Sequence, residues 1–298
     1  MTPVALPAGL AAQRAAGEER AAWLDLLPRR AAEVLEAWEL VVDGPATHGA
    51  DALVVPARTT RREPAVLKLG FPDDASEHEH LVLQRWAGRG AVRLLRADPG
   101  RRALLLERAG PDVLTDLWDV EACEVLGGLY GQLHRPAPPQ LRTLASYVGE
   151  RAAALARDAR SVPVPRRLVE QCLALARDLG ADPASTGTTL HGDLHPGNVL
   201  RSADRGWLAI DPEPLSGDPH FEPEPALRHD FEQYGAVPGD SVRDGIRRRF
   251  HTLVDVAGLD EHRARDWAVV RSVLDAHRHA GDRERVTRAV TIAKAVQD

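Results

Sequence analysis

Hydrophobic residues change their period several times along this chain. Between residues 10 and 40 Trp23, Leu27, Val34, Leu35 and Trp38 recur at helical spacing in an Ala-, Leu- and Glu-rich stretch, which predicts one or two helices. At Leu40 the pattern turns strand-like. LVVDGPATHGADALVVPAR holds short apolar runs separated by Gly44, Pro45 and Gly49, the signature of a hairpin. A polar turn, TTRREP, leads to AVLKLG, a third strand that carries Lys68 and ends at Gly70. In FPDDASEHEHLVLQRW, Ser76 and Glu79 have the spacing of a capping box, and Val82 and Trp86 continue the helix. AVRLLRADPGRRALLLERAG is again a hairpin, turning at Asp98-Pro99-Gly100 into the apolar strand Ala103 to Leu106.

Beyond Gly110 the period becomes helical. Residues 119–134 predict a helix stopped by PAPP at 136–139, because proline cannot continue the backbone ladder. Residues 141–158 and 165–180 predict two more. HGDLHPGNVL (191–200), a turn at Ser202 to Arg205 and the strand WLAID (207–211) interrupt the helices, which resume from about residue 225. A strand-rich first third and a helix-rich remainder predict an α+β chain in two lobes, 1–109 and 110–298.

Composition narrows the classes of function. With 298 residues, 44% of them hydrophobic, the chain can bury a sizeable core, and its net charge of −6 opposes a general nucleic-acid binder. Cys123 and Cys172 are too few for a disulfide framework, which favours a reducing compartment. The N-terminal residues lack a basic region, and no run is apolar and long enough to span a membrane, so the expectation is a cytoplasmic protein with no membrane partner.

The polar, bend-prone stretch HGDLHPGNVL admits two chemistries. On an extended segment His191, Asp193 and His195 share a face and could ligate a metal. Against this, Pro196-Gly197 breaks the segment at once, and no downstream pair has spacing that demands a metal. Phosphoryl transfer makes more demands, and more are met. Protein kinases use an Asp that accepts the hydroxyl proton, an Asn further along the same loop that holds magnesium, and a second Asp after a hairpin. Asp193 and Asn198 have that interval, and Asp211 ends the following apolar strand. Closing the hairpin between Asn198–Leu200 and Trp207–Ile210 brings Asn198 and Asp211 together, as two oxygen ligands of a hard cation must be. Upstream, Lys68 in an apolar strand is costly to bury unless an anion meets it. Glu79 lies at i of an i, i+4, i+7 apolar face with Leu83 and Trp86, although it could instead serve only as the capping partner of Ser76.

HGDLHPGNVL with AIDPEPLSGDP resembles the aminoglycoside phosphotransferases. AWELVVDGP, AVLKLGFP, Glu79-Leu83-Trp86, GRGAVRLL and LLLERAGP narrow the resemblance to the streptomycin 6-kinase and hydroxyurea phosphotransferase branch, over about residues 36 to 220. The resemblance implies a bilobal protein-kinase-like fold that uses ATP and Mg²⁺. Lys68 would hold the α/β-phosphates with Glu79 orienting it, and Glu107, Arg108 and Ala109 would form the hinge that reads adenine. A phosphate-covering loop would lie between Leu40 and Val54, without a full G-x-G-x-x-G. Asp193 would be catalytic, His191 would fix the loop, and Asn198 and Asp211 would bind magnesium.

The acceptor side is electrostatic. Residues 211–240 hold eight Asp or Glu against one Arg, Arg228. An acidic wall suits a cationic acceptor, so Glu213, Asp218, Glu222, Glu224 and Asp230 are the candidate acceptor-binding residues. A solvated charged face, and for Asp218 a buttress of the metal loop, are the plainer readings. Glu213 stands where the branch often has a basic residue, and GDPHFEPEP carries Glu222 where the family has Asp. The expected reaction is ATP-dependent O-phosphorylation of an antibiotic of streptomycin type, with hydroxyurea, a cationic peptide antibiotic or a metabolic alcohol as other small-molecule acceptors. A non-catalytic kinase-like module would have lost Lys68, Asp193 or Asp211, and all are present.

Overall fold

Short apolar strands build the first third of the molecule. The computed structural model describes residues 4–230, 237 and 239–298, and the chain divides into two compact units, Met1–Gly110 and Pro111–Asp298. In the first unit, β1 (Val41–Val42) and β2 (Thr47–His48) are two short segments that both pair antiparallel with β3 (Ala52–Arg58). β4 (Pro64–Gly70), β5 (Leu94–Asp98) and β6 (Ala103–Glu107) complete an antiparallel sheet of order β1-β3-β4-β6-β5, with β2 beside β3.

Successive strand residues face opposite ways. Leu53, Val55, Ala65, Leu67, Leu69, Ala103 and Leu105 therefore share one face, and the helices α1 (Ala8–Ala12) and α2 (Glu18–Ala37) cover it. α2 supplies Trp23, Leu24, Leu27, Ala31, Val34 and Leu35, a single helical stripe. Truncating a fully buried member such as Leu67 to Ala would cost about 2–5 kcal/mol. Lys68 sits between two core-facing leucines and so points to the opposite face, where α3 (Glu79–Trp86) lies along the chain.

α3 corrects one expectation. Ser76 does not form a capping box with Glu79. Its hydroxyl donates to Asp73 Oδ1 at 2.8 Å and its N–H to the same oxygen at 2.9 Å, and the helix begins after His78 with no side-chain cap. Asp73 takes the Ser76 N–H that Glu79 would have accepted in the box, and the Glu79 N–H donates to the Ser76 carbonyl at 3.2 Å, which leaves the Glu79 carboxylate for another partner.

The second unit is mostly helical: α4 (Asp119–Leu133), α5 (Leu144–Asp158), α6 (Arg166–Ala181), then α7 (Glu224–Arg228), α8 (Val242–Ala257), α9 (Glu261–Arg278) and α10 (Arg283–Ala295). Side-chain caps start several of them: Thr143 before α5, Ser241 in a full capping box with Asp244 before α8, Asp260 before α9 and Asp282 before α10. Between α6 and α7 lie two small antiparallel sheets, β7 (Thr188–Leu190) with β10 (Leu215–Gly217), and β8 (Val199–Ser202) with β9 (Gly206–Ala209). The β7/β10 pair was not predicted; its strands are three residues each, too short to show a period. A core of α5, α6, α9 and α10 side chains, with Trp267 and Phe221 edge-to-face at 5.5 Å between centroids, packs behind β7 and β10. Among the described residues no helix is long and apolar enough to cross a membrane.

Candidate active site

In the first unit the Lys68 ammonium donates to both oxygens of Glu79, each at 2.7 Å. Both residues are nearly excluded from solvent, at 7% and 3%. A buried pair of this kind is weak evidence for stability, since desolvation offsets most of the attraction. It does fix the position of a cation on the face of the sheet opposite the α1 and α2 core. Its neighbours across the sheet are Val54 on β3 and Leu104 on β6, so the charge is set in an apolar frame.

In the second unit the loop after β7 is held from behind. Glu222 is fully buried and its carboxylate takes two consecutive backbone donors, His191 N at 2.5 Å and Gly192 N at 3.2 Å. His191 is also fully buried. Its Nε2 lies 3.0 Å from the Ile210 carbonyl, and its Nδ1 accepts the Asp193 N–H at 3.3 Å. That pattern assigns the neutral tautomer with the proton on Nε2, and burial lowers the His191 pKa in agreement. Gly192 has φ +82°, and a Cβ there would stand 1.9 Å from the Glu213 carbonyl oxygen, so the position admits only glycine. The loop is thus a rigid platform with Asp193 at its tip.

Asp193 Oδ1 accepts a 2.5 Å hydrogen bond from Arg228, at the end of α7. Its Oδ2 lies 3.6 Å from His195 Nε2, beyond hydrogen-bonding distance. Burial alone would raise the Asp193 pKa, but His195 and the Arg228 and Arg271 guanidiniums outweigh it and hold the carboxyl well below the usual range. Arg228 in turn lies 3.6 Å from both Glu224 and Asp275, and these carboxylates keep it charged despite its burial.

Asn198 donates through Nδ2 to the Asp193 carbonyl at 3.0 Å, which orients its amide. The β8/β9 register pairs Val199 with Ala209, and Ile210 N donates to the Asn198 carbonyl at 2.9 Å. Asp211, the next residue, therefore begins where Asn198 ends, and its φ of +59° turns the chain sharply at that point. The pair offers an amide oxygen and a carboxylate, hard donors suited to a magnesium ion. The three-ligand reading of His191, Asp193 and His195 fails: both His191 ring nitrogens are engaged, and among the described residues no three His, Cys, Asp or Glu side chains converge as a ligand set.

Residues 37–283 match the family model for aminoglycoside/hydroxyurea antibiotic resistance kinases. The chain belongs to this family. It is 40% identical over 282 residues to a streptomycin 6-kinase of Streptomyces glaucescens, covering 92% of this chain and 90% of that protein. It is 42% identical over 271 residues to a hydroxyurea phosphotransferase of Kitasatospora aureofaciens, covering 87% of this chain and 74% of that one. The choline kinase LicA of Streptococcus pneumoniae, at 12% identity, shares the fold with a TM-score of 0.59, covering 89% of this chain and 96% of that one. The α+β, protein-kinase-like architecture expected from the sequence is therefore the one found.

Other parts of the kinase depart from the sequence expectations. Asp218 and Glu222 are not part of an acceptor-facing wall, because both are buried and committed to hydrogen bonds, whereas Glu224, though buried, borders the cavity that opens on Asp193. Asp218 binds Arg263 Nε at 2.5 Å, Trp267 Nε1 at 2.7 Å and His220 Nδ1 at 2.6 Å, and these bonds overcome burial to bring its pKa to about 2. Glu222 holds the loop, as above. Glu224 faces Arg271 Nε at 3.2 Å as well as Arg228, and burial raises its pKa. Glu213 and Asp230 are the exposed members of the set. Crowding by surrounding protein, followed by the Asp193 charge, pushes Glu213 up to about 7. Asp230 pairs with His229 at 3.1 Å. Glu232, in the same acidic run, lies outside the described residues. At the end of β6 the Glu107 N–H is spent on the Arg93 carbonyl at 3.0 Å, and Arg108 pairs with Asp43 at 2.6 Å. Ala109 follows, outside any regular element.

A cavity of about 540 Å³ opens on Asp193, bordered by the carboxylates of Glu224, Asp230, Asp275, Asp282 and Glu284 and by Arg228, Arg285 and Arg288 among others. Asp275 on α9 and Asp282 before α10 escaped the sequence reading, since nothing local distinguishes them from surface charges. Arg228 left a signal: it is the one basic residue in a run of eight carboxylates.

Proposed function

We propose that this protein is an ATP-dependent O-phosphotransferase that inactivates a cationic antibiotic of streptomycin type by phosphorylating a hydroxyl. The observation that carries the reading is the Asp193 carboxylate, ionised, fixed through one oxygen by Arg228, and open through the other to a carboxylate-bordered cavity. An acceptor hydroxyl donates to Asp193 Oδ2. Its oxygen attacks the terminal phosphorus of ATP, ADP departs, and the proton passes late to the carboxylate, since a loose transition state needs positioning more than a strong base. Lys68, held by Glu79, meets the phosphates of ATP, and the backbone at Arg108 and Ala109 reads adenine. Asn198 and Asp211 would hold Mg²⁺, which when bound neutralises phosphate charge. Asp230, Asp275, Asp282 and Glu284 outnumber Arg228, Arg285 and Arg288 around the cavity and supply the negative field that receives a cation.

The identity to a hydroxyurea phosphotransferase supports a second acceptor class, small and uncharged. A panel separates the two: ADP release with streptomycin, other aminoglycosides, hydroxyurea and cationic peptides, each product confirmed by a phosphoryl mass gain. Turnover with hydroxyurea alone would displace the cationic-acceptor reading. Asp193→Asn should keep nucleotide binding and lower turnover by roughly 10² to 10⁴; a variant that keeps most of its turnover removes Asp193 from the mechanism.

A further inference from the structure

The family match begins at residue 37, yet α1, the 3-10 turn Gln13–Ala16 and α2 precede it. Besides covering the sheet, this segment grips one turn. Gly49-Ala50-Asp51 joins β2 to β3, the position of the phosphate-covering loop expected between Leu40 and Val54. Gln13 Nε2 donates to the Ala50 carbonyl at 2.8 Å, and Arg20 pairs with the Asp51 carboxylate. The Arg20 guanidinium also lies 3.9 Å from the centroid of the Phe71 ring, which Trp23 meets edge-on at 5.4 Å. Phe71 N–H donates back to the Asp51 carbonyl at 2.7 Å. At the near end of the turn α1 packs so closely that a Cβ on Gly9 would stand 2.4 Å from His48 Nε2. Three contact points, on His48, Ala50 and Asp51, thus fall on a turn of three residues and its entry.

We propose that residues 8–37 are a positioning element of the nucleotide site, clamping the β2–β3 turn in one conformation before ATP arrives. The inference rests on the reading of this chain as an ATP-dependent kinase. Its physical basis is entropy: a turn with one glycine, unlike a run of three, is ordered by external contacts, and order present beforehand is not lost on binding. Arg20 and Gln13 act through the turn and touch no reacting atom.

The test uses the full chain with Gln13→Ala, Arg20→Ala and the double variant. The Phe71 and Gly49 amides, which bond to Asp51 and Ala52, should exchange hydrogen about tenfold faster. The KM for ATP should rise about three- to tenfold, with kcat and the acceptor KM within about twofold of wild type. Arg20→Lys, which keeps the charge, should recover part of the loss. If Arg20→Ala lowers melting, Gln13→Ala alone, which removes one surface hydrogen bond, still gives both readouts. Unchanged exchange overturns the clamp. Faster exchange with an unchanged KM for ATP separates the turn from the nucleotide and overturns the proposal, while Asp193→Asn tests the kinase reading independently.

Discussion

Glu222 is where charge counting and geometry disagree most sharply, and a single substitution separates them. Its carboxylate receives His191 N at 2.5 Å and Gly192 N at 3.2 Å, with no exposed surface. Burial would raise its pKa, but His134, His191 and Arg271 bring it down, so it is an ionised acceptor of two donors. In Glu222→Gln one oxygen survives and the other becomes an NH₂ that must face a backbone N–H. A hydrogen bond to a charged group contributes about 1.5–3 kcal/mol, and leaving a buried donor unmet costs a similar amount. Relief from burying a charge returns part of this, for a net loss of about 3 kcal/mol. In a unit spanning Pro111–Asp298 that corresponds to a melting temperature lower by roughly 6–12 °C. The assay is thermal melting beside steady-state kinetics: kcat should fall with the loop that carries Asp193, and the acceptor KM should change less. If the variant melts within about 2 °C of wild type while its acceptor KM rises tenfold or more, Glu222 contacts the acceptor and its assignment to the loop is wrong.

Three further outcomes follow from the same geometry. Gly192→Ala must move either its own backbone or Glu213, so chemical denaturation should show a loss of at least about 2 kcal/mol; an unchanged midpoint would mean the loop yields easily. Arg228→Gln frees Asp193 Oδ1, and kinetics should show kcat lower by roughly 10- to 100-fold with the KM for ATP unchanged, whereas Arg228→Lys should be intermediate. Asp218 has a pKa of about 2 in the fold, below its unfolded value of 3.8, so its contribution is complete above the unfolded value and is lost as pH falls through about 2. Melting of wild type and Asp218→Asn should differ by about 2 kcal/mol near neutrality and converge in acid; a gap independent of pH would show that the Arg263 and Trp267 contacts do not act through the carboxylate charge.

The sequence was most legible where local chemistry decides the outcome. Short apolar runs bounded by glycine, proline and polar turns set the strands of the first unit, and Lys68, flanked by core leucines, had to face away from them. HGDLHPGNVL with Asp211 located the loop and hairpin because the interval between Asp193 and Asn198 and the β8/β9 turn are local in the chain. Glu79 was less legible: capping and pairing with Lys68 were both open, and Asp73, by taking the Ser76 N–H, closed the first. The acidic run misled because a count of charges contains no burial.

What the sequence by itself determined is the fold class, the order of most of its elements and the place of the polar loop and its hairpin, since each follows from periodicity, turn residues or spacing over a few residues. Tertiary structure alone decided which carboxylates reach the cavity. Asp218 and Glu222 turn inward because Arg263 and Trp267 on α9, some forty to fifty residues later, and the loop amides of His191 and Gly192, some thirty residues earlier, satisfy them there. Glu224 borders the cavity beside Arg228 and Arg271. A buried carboxylate survives only where donors converge, and convergence over such separations is a property of packing that no short window of sequence contains.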